Sequence, residues 1–184
     1  MNFNNHSDLN GEHSFLSPSN YHWINYSREK LEAVYLNQRS KERGTVLHAF
    51  AATAVEEKIK LANHKKALNL FVNDCIGFKM EPEQVLYYSN NAFGTADAIS
   101  FRDNMLRIFD LKTGVTKASF KQLDVYVALF CLEYGIDPKQ IEIETRIYQG
   151  SGFEVSIPEP GYILDIMNTI EEFNVIIDNI KLNA

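Results

Sequence analysis

The pair Asp103-Asn104 constrains the fold more than any other feature of this 184-residue sequence. It stands between two segments, 93–101 and 105–112, in which apolar residues recur with the period of a β-strand. Asp and Asn tolerate the left-handed backbone that a two-residue hairpin turn requires. The pattern therefore predicts an antiparallel hairpin in which the numbers of facing residues sum to 207.

That register places charged side chains on one face of the hairpin. Asp97 falls opposite Asp110, and Thr95 falls opposite Lys112. Two facing carboxylates repel each other, and Asp is rare in strands. A divalent cation between them removes the conflict, and Mg²⁺ or Mn²⁺ prefers such oxygen ligands. With Lys112 beside the cation to stabilise charge on a phosphate, the hairpin predicts phosphodiester hydrolysis. A solvated strand face that merely carries Asp and Lys is the alternative.

The remaining apolar periodicity predicts a mixed α/β chain. Helical spacing predicts N-terminal helices at 18–26, 27–39, 46–59 and 65–78, with Gly44 interrupting the chain between the second and third. A strand at 84–89 precedes the hairpin, and a helix at 120–134, ended by Gly135, follows it. A strand at 140–149 with one wet face, a partner strand at 153–157 and a final helix complete the chain. We expect a central mixed sheet of about four to five strands flanked by helices, with further helices N-terminal to it.

Composition excludes several classes of protein. The net charge is −6, which argues against a protein that coats nucleic acid by charge alone. The longest apolar run, at 125–132, is too short to span a bilayer, and the N-terminus has no secretory pattern, so we expect a cytoplasmic protein. Two cysteines are too few for a four-cysteine iron–sulfur cluster, and none is expected. Residues 1–16 are predicted to form a flexible tail before one domain at 17–184.

Five short motifs follow one another in an order that is typical of one enzyme family. They are Leu16-Ser17-Pro18-Ser19, Gly44-Thr45-x-x-His48, Gly94-x-x-Asp97, Asp110-Leu111-Lys112-Thr113-Gly114 and Gln122-x-x-x-Tyr126. Together they resemble the PD-(D/E)XK nucleases, and most of all the RecB-type exonuclease branch. The resemblance spans about residues 16–150 and implies a restriction-endonuclease-like core in a single nuclease-like domain.

The resemblance also implies a role for each matching residue. Asp97 and Asp110 would be acidic metal ligands, with the Leu111 carbonyl and His48 as further ligands. Lys112 would be the catalytic lysine. Thr113, Gln122 and Tyr126 would position the nucleic-acid strand. Plainer interpretations stay open: His48 as a hydrogen-bonded core or surface residue, Gln122 as solvated surface, and Tyr126 as core.

The function implied by the resemblance is a stand-alone, divalent-metal-dependent DNA nuclease that uses Mg²⁺ or Mn²⁺. An exonuclease in recombination, repair or end processing is the leading form. Two alternatives stay open: a catalytically silent module of the same fold that binds DNA or a protein, and an endonuclease that acts on RNA or on a particular structure. The apolar stripe of the final helix either packs on the sheet or contacts a second copy or a recombination partner protein.

Overall fold

The Asp103-Asn104 turn closes the predicted hairpin between β2 (Ala92–Arg102) and β3 (Met105–Lys112). Both turn residues have positive φ angles, 50° and 62°, as a type I′ turn requires. Facing Cα partners run from Arg102↔Met105 to Ala98↔Phe109, which is the predicted register. The pairing ends there, so neither of the predicted strand pairs beyond it, Asp97 with Asp110 and Thr95 with Lys112, forms.

The hairpin is part of a five-stranded sheet whose strands lie in chain order. β1 (Glu81–Ser89) precedes the hairpin, and β4 (Glu142–Gln149) and β5 (Gly152–Ser156) follow it. Neighbouring strands are antiparallel except β3 and β4, which are parallel. A parallel pair needs a long crossover, and α3 (Lys121–Tyr134) supplies it. The predicted α/β class, with a central mixed sheet and flanking helices, is confirmed.

The computed structural model describes residues 14–183, so most of the predicted tail at 1–16 lies outside the described residues. The chain divides into two compact units between Arg43 and Gly44. In the first unit a 3₁₀ helix spans Pro18–Asn25, close to the helix predicted there. The Trp23 indole N–H donates to the Ser17 carbonyl at 3.0 Å and fixes the start of this turn.

One long helix, α1 (Arg28–Glu56), replaces the two helices predicted on either side of Gly44. The predicted interruption is wrong because a glycine inside a helix costs only about 1 kcal/mol relative to alanine. Gly44 is buried, and a Cβ atom at this position would lie 2.9 Å from Thr113 Oγ1. The glycine therefore lets α1 pass close to the end of β3 instead of ending the helix.

Helices cover both faces of the sheet. One apolar cluster joins α3 and α4 (Pro160–Leu182) to the sheet, with Leu106, Ile108, Leu123, Val127 and Ile163 at its centre. A second cluster joins α2 (Ala67–Gly77) and the last turns of α1 to the other face, with Phe71, Val72, Phe109, Leu111 and Tyr148 at its centre. The core thus consists of two apolar layers, one on each face of the sheet.

Two sequence predictions about outer faces have different outcomes. The wet face predicted for β4 is wrong at its C-terminal end, because Tyr148 is fully buried and its ring packs edge-on against Phe71 of α2. The N-terminal half of α4 packs on the core, whereas Phe173 and Ile180 in its second half are exposed. Within residues 14–183, no helix is long and apolar enough to cross a membrane.

β2 and β3 separate beyond the last pair, Ala98↔Phe109. β2 continues against β1 as far as the pair Ser89↔Ala92, while β3 continues against β4 as far as Lys112↔Gln149. We call this opening between residues 92–97 of β2 and 110–112 of β3 the strand fork. Asp97 and Asp110 are the first residues beyond the last pair, so both lie at the base of the fork.

Candidate active site

The two predicted aspartates meet at the base of the strand fork. Asp97 Oδ2 accepts the Leu111 backbone N–H at 2.8 Å, so a side chain binds the edge of β3 where strand pairing has stopped. Asp110 is only 4% exposed, and its Oδ1 accepts from Lys112 Nζ at 3.0 Å. Its second oxygen, Oδ2, has no hydrogen-bond partner within residues 14–183.

The environment of Asp110 disfavours its charged form. Burial raises the pKa of this carboxyl, and the neighbouring Asp97 charge raises it further, while Lys112 acts in the opposite direction. A buried carboxylate oxygen without a partner carries a desolvation cost that the rest of the fold does not offset. Such an orphaned oxygen is expected where the missing partner is a ligand.

α1 brings His48 to the same place. Its Nδ1 lies 3.3 Å from Asp97 Oδ1. The hydrogen bond with Asp97 raises the pKa of His48, although partial burial of the ring opposes the shift. Gly44 lies one helical turn earlier, so its missing side chain and the imidazole fall on the same side of α1. Glycine at this position explains how α1 comes near enough for His48 to reach Asp97.

Glu83 of β1 completes the group, and the sequence analysis missed it. One ligand atom from each of His48, Glu83 and Asp97 lies within 4.8 Å of the others. Pro82↔Ala98 and Gln84↔Ala96 are strand pairs, which leaves Glu83 opposite Asp97. Its φ angle is 49°, an unusual value for a residue in a strand. Burial and the Asp97 charge raise the pKa of Glu83.

Nothing in the local sequence distinguishes Glu83. It lies one residue before the strand that was predicted at 84–89, and no motif includes it. The useful signal is the register of β1 on β2, in which the numbers of facing residues sum to 180 from Glu81↔Ile99 to Tyr87↔Phe93. That register cannot be derived without the loop geometry between the two strands.

A chain of hydrogen bonds links the predicted lysine to α3. Gln122 Oε1 accepts from Lys112 Nζ at 2.8 Å, and Gln122 Nε2 donates to Tyr126 Oη at 3.3 Å. Tyr126 Oη in turn donates to the Thr95 carbonyl at 2.6 Å, on the other side of the fork. Gln122 and Tyr126 are therefore neither loose surface nor plain core. Together they hold the Lys112 ammonium between the two strands.

Gly94 makes room for this chain. A Cβ atom at Gly94 would lie 3.0 Å from Tyr126 Cε1, closer than ordinary packing allows. Gly44 and Gly94, the glycines of two of the quoted motifs, thus allow the backbone to pass close to a residue of another quoted motif: Thr113 in the first case and Tyr126 in the second. Thr113, which was predicted to position substrate, is exposed at the end of β3 near Gly44.

The residues present fit a divalent cation. Asp97, Asp110 and Glu83 offer carboxylate oxygens, which suit Mg²⁺ and Mn²⁺, and His48 adds a nitrogen that suits transition metals. Three carboxylates against one ammonium leave the fork with an excess of negative charge. Asp110 Oδ2, which is buried and has no hydrogen-bond partner within residues 14–183, is an acceptor that such a cation would fill. Leu111, predicted to contribute its carbonyl, is buried between the two aspartates.

No protein-family model matches the chain, and no curated protein or solved structure is significantly similar to it. The nuclease resemblance therefore depends on the motif residues themselves, and any function depends on what the strand fork can do chemically.

Proposed function

We propose that this protein is a divalent-metal-dependent nuclease of the PD-(D/E)XK type that hydrolyses phosphodiester bonds in DNA. The observation that carries the proposal is the meeting of Asp97, Asp110 and Lys112 at the strand fork, with one buried Asp110 oxygen left without a partner. Most buried polar atoms in proteins are paired, and Asp110 Oδ2 is one of three buried side-chain atoms within residues 14–183 that are not, beside Ser100 Oγ and Arg107 Nε. An unsatisfied carboxylate beside an anchored lysine suits hydrolysis of a phosphodiester, in which a cation and an ammonium would stabilise the charge on the phosphate.

The chain's own residues divide the work between binding and charge stabilisation. Lys112 is anchored on both sides, by Asp110 Oδ1 at 3.0 Å and by Gln122 Oε1 at 2.8 Å. An ammonium held in this way can donate to a phosphate oxygen without reorganising when charge develops there. Tyr126 fixes Gln122 by bonding it to the fork, so the lysine is positioned by a connected set of side chains.

Asp97, Asp110, Glu83 and His48 are the side chains that would hold Mg²⁺ or Mn²⁺. The chemistry that a divalent cation supplies in such a site is Lewis-acid polarisation of the phosphate and activation of water. His48 must be neutral to bind a cation, and its hydrogen bond to Asp97 orients the ring. The motif resemblance, rather than the geometry, selects DNA over RNA and an exonuclease over an endonuclease.

The test is a cleavage assay on end-labelled linear duplex, single-stranded DNA, single-stranded RNA and a covalently closed circle, each with Mg²⁺, Mn²⁺ or EDTA. Wild type should degrade DNA only with a cation. Lys112→Met should lower the rate at least about 100-fold, because one electrostatic donor is typically worth that much. Lys139→Met, the same exchange at an exposed site beside the start of β4, should keep the wild-type rate.

The reaction products distinguish the kinds of nuclease that the proposal leaves open. Loss of linear DNA with the circle spared would indicate an exonuclease, and the labels would give its polarity. Nicking of the circle would indicate an endonuclease, and cleavage of RNA alone would overturn the choice of substrate. A folded wild-type protein that cuts nothing with either cation would contradict the proposal and favour a silent binding module.

A further inference from the structure

The segment 113–120 joins the proposed catalytic lysine to α3 and has no regular secondary structure. It begins directly after Lys112 and ends just before α3, which carries Gln122. Along the chain, the loop thus joins the donor and the acceptor of the hydrogen bond between Lys112 and Gln122. Most of it is exposed, and Val115 is fully exposed. An exposed loop of this kind loses considerable conformational entropy when it is fixed. Something must therefore fix its path.

Gln149 binds this loop at three places. Its Nε2 donates to the Gly114 carbonyl at 2.7 Å and to the Thr116 carbonyl at 2.8 Å. Its Oε1 accepts the Ala118 N–H at 3.4 Å. The amide group thus bonds to every second residue from 114 to 118, with both of its N–H donors and its oxygen in use. Gln149 ends β4 as the strand partner of Lys112, so the loop is tied back beside the lysine that it follows.

The loop's other side-chain bonds are weaker anchors. Lys117 Nζ lies 3.5 Å from Glu154 Oε1, and both side chains are well exposed, where such a pair contributes little. Ser119 accepts the Lys121 N–H at 3.3 Å, which fixes only the start of α3. Gln149 is the side chain that spans the middle of the loop.

We infer that Gln149 is a positioning residue for the proposed nuclease reaction: it clamps the loop so that Gln122 of α3 stays within reach of Lys112. The inference rests on the proposed function. Without the clamp the middle of the loop is released, while Ala118 and Phe120 still pack on the core at its end. The first turn of α3, and Gln122 with it, is then held less firmly against the Lys112 ammonium. Because an amide does not titrate, the clamp works at any pH at which the protein is folded.

The test is the exchange Gln149→Glu, which keeps the size of the side chain but removes both donors and turns a carboxylate toward two carbonyl oxygens. Gln140→Glu is the matched control, since it adds the same charge at an exposed site just before β4. We would measure kcat and KM for cation-dependent cleavage, cation binding by calorimetry, the melting temperature, and hydrogen exchange of residues 114–120.

Gln149→Glu should lower kcat about 10- to 100-fold, as loss of a supporting hydrogen-bond partner does in metal sites. Cation binding should stay as in wild type, and exchange in 114–120 should become faster. Gln140→Glu should change none of these. In a Gln122→Ala background the loss from Gln149→Glu should shrink to a few-fold, because the two residues act through the same lysine.

A role in folding alone would give a different result. It would lower the melting temperature and the active fraction of Gln149→Glu, leave kcat per folded molecule unchanged, and add to the effect of Gln122→Ala. Either that result or wild-type exchange in the loop would overturn this inference while leaving the nuclease intact. A wild-type protein that cleaves nothing would overturn the proposed function and this inference with it.

Discussion

Two clusters of charged side chains lie beside β3, one at the strand fork with β2 and one around Arg146 of β4, and they are built on opposite principles. Around Arg146 each of two carboxylates bonds to the guanidinium: Nη1 donates to Asp74 Oδ2 at 2.9 Å and Nε donates to Glu144 Oε1 at 2.7 Å. Tyr148 Oη also donates to Asp74, at 2.7 Å. At the strand fork Lys112 bonds to Asp110, whose second oxygen has no partner within residues 14–183, and Glu83 lies beside Asp97 and His48.

The two clusters also differ in the side chains that pack around them. The Arg146 guanidinium lies between 4.8 and 4.9 Å from the centres of three aromatic rings, those of Phe78, Phe109 and Phe153. Such stacking favours a fixed cation. The strand fork has small residues and an open edge instead. In a cluster that stabilises the fold, the charged groups are paired with other groups of the protein. In a cluster that binds a ligand, some of the charged groups find their partner only when the ligand is bound.

The largest expected effect on stability comes from removing the cation of the Arg146 cluster. Arg146→Met should destabilise the protein by about 3 kcal/mol, because Asp74 and Glu144 are then left near apolar surface without their partner. That corresponds to a fall in melting temperature of roughly 6–12 °C, measured by calorimetry. Arg28→Met, at an exposed i,i+4 pair with Glu32, is the control and should cost at most about 0.5 kcal/mol. Equal effects at the two sites would mean that the Arg146 cluster does not stabilise the fold.

Adding a divalent cation should produce the next largest effect, and only through the strand fork. At 100 times its Kd, Mn²⁺ should stabilise wild type by about 2.7 kcal/mol. The shift should be lost in Asp110→Asn and kept in Arg146→Met, since Arg146 bonds to Asp74, Glu144 and Tyr148 rather than to the proposed ligands. It should be smaller at pH 6 than at pH 8, because the raised pKa of His48 keeps more of the imidazole protonated at pH 6, and a protonated ring cannot bind metal.

Thermal melts with and without cation at both pH values check this prediction. A shift of the same size in Asp110→Asn would place the cation elsewhere on the molecule. A shift that does not change between pH 6 and pH 8 would mean that His48 is not a ligand.

Without a cation, Asp110→Asn should stabilise the fold by roughly 1 kcal/mol. The pKa of Asp110 is raised by burial, so the folded state binds its proton more tightly than the unfolded state does. The charged carboxylate therefore costs stability above the folded pKa, and the cost vanishes below the ordinary value of 3.8, where both states are protonated. The gain should be full at neutral pH and disappear as the pH falls below that value.

Unfolding of Asp110→Asn in urea at several pH values measures this gain. Asp165→Asn, at an exposed position of α4, is the control and should change little at any pH. A loss of stability at neutral pH would show that the Asp110 charge is satisfied within the fold. In that case the contrast with the Arg146 cluster would no longer hold.

Sequence patterns recovered the parts of the site that depend on local structure. The turn residues Asp103 and Asn104 and the period-2 strands beside them set the register, which runs to Ala98↔Phe109 and leaves Asp97 and Asp110 as the next residues on the two strands. Gln122 and Tyr126, four residues apart on one helix, likewise lie on one side of it, where Gln122 bonds to both Lys112 and Tyr126. In each case a few neighbouring residues determine the geometry.

The parts that were missed depend on contacts between distant segments. Glu83 reaches Asp97 only through the register of β1 and an unusual φ angle. Gly44 was interpreted as a helix break, because its close approach to Thr113 belongs to the packing of α1 on β3. The covered face of β4 at Tyr148 depends on α2, which lies far earlier in the chain. Patterns within one element cannot supply such information.

The smallest expected effect tests how tightly the strand fork itself is packed. In Gly94→Ala the new Cβ would lie 3.0 Å from Tyr126 Cε1, so the ring must shift and its 2.6 Å bond to Thr95 must weaken. We expect a loss of about 0.5 kcal/mol in stability, the low end for one hydrogen bond, together with a several-fold loss of cleavage.

Gly152→Ala is the matched control for this change. It also adds a methyl group to a strand glycine, but nothing lies within 4 Å of the new atom, so it should leave both quantities unchanged. If Gly94→Ala behaved like Gly152→Ala in urea melts and in the cleavage assay, the Tyr126 ring would have room to move. The lysine at the fork would then be positioned less tightly than the guanidinium of Arg146, which three rings and two carboxylates hold in place.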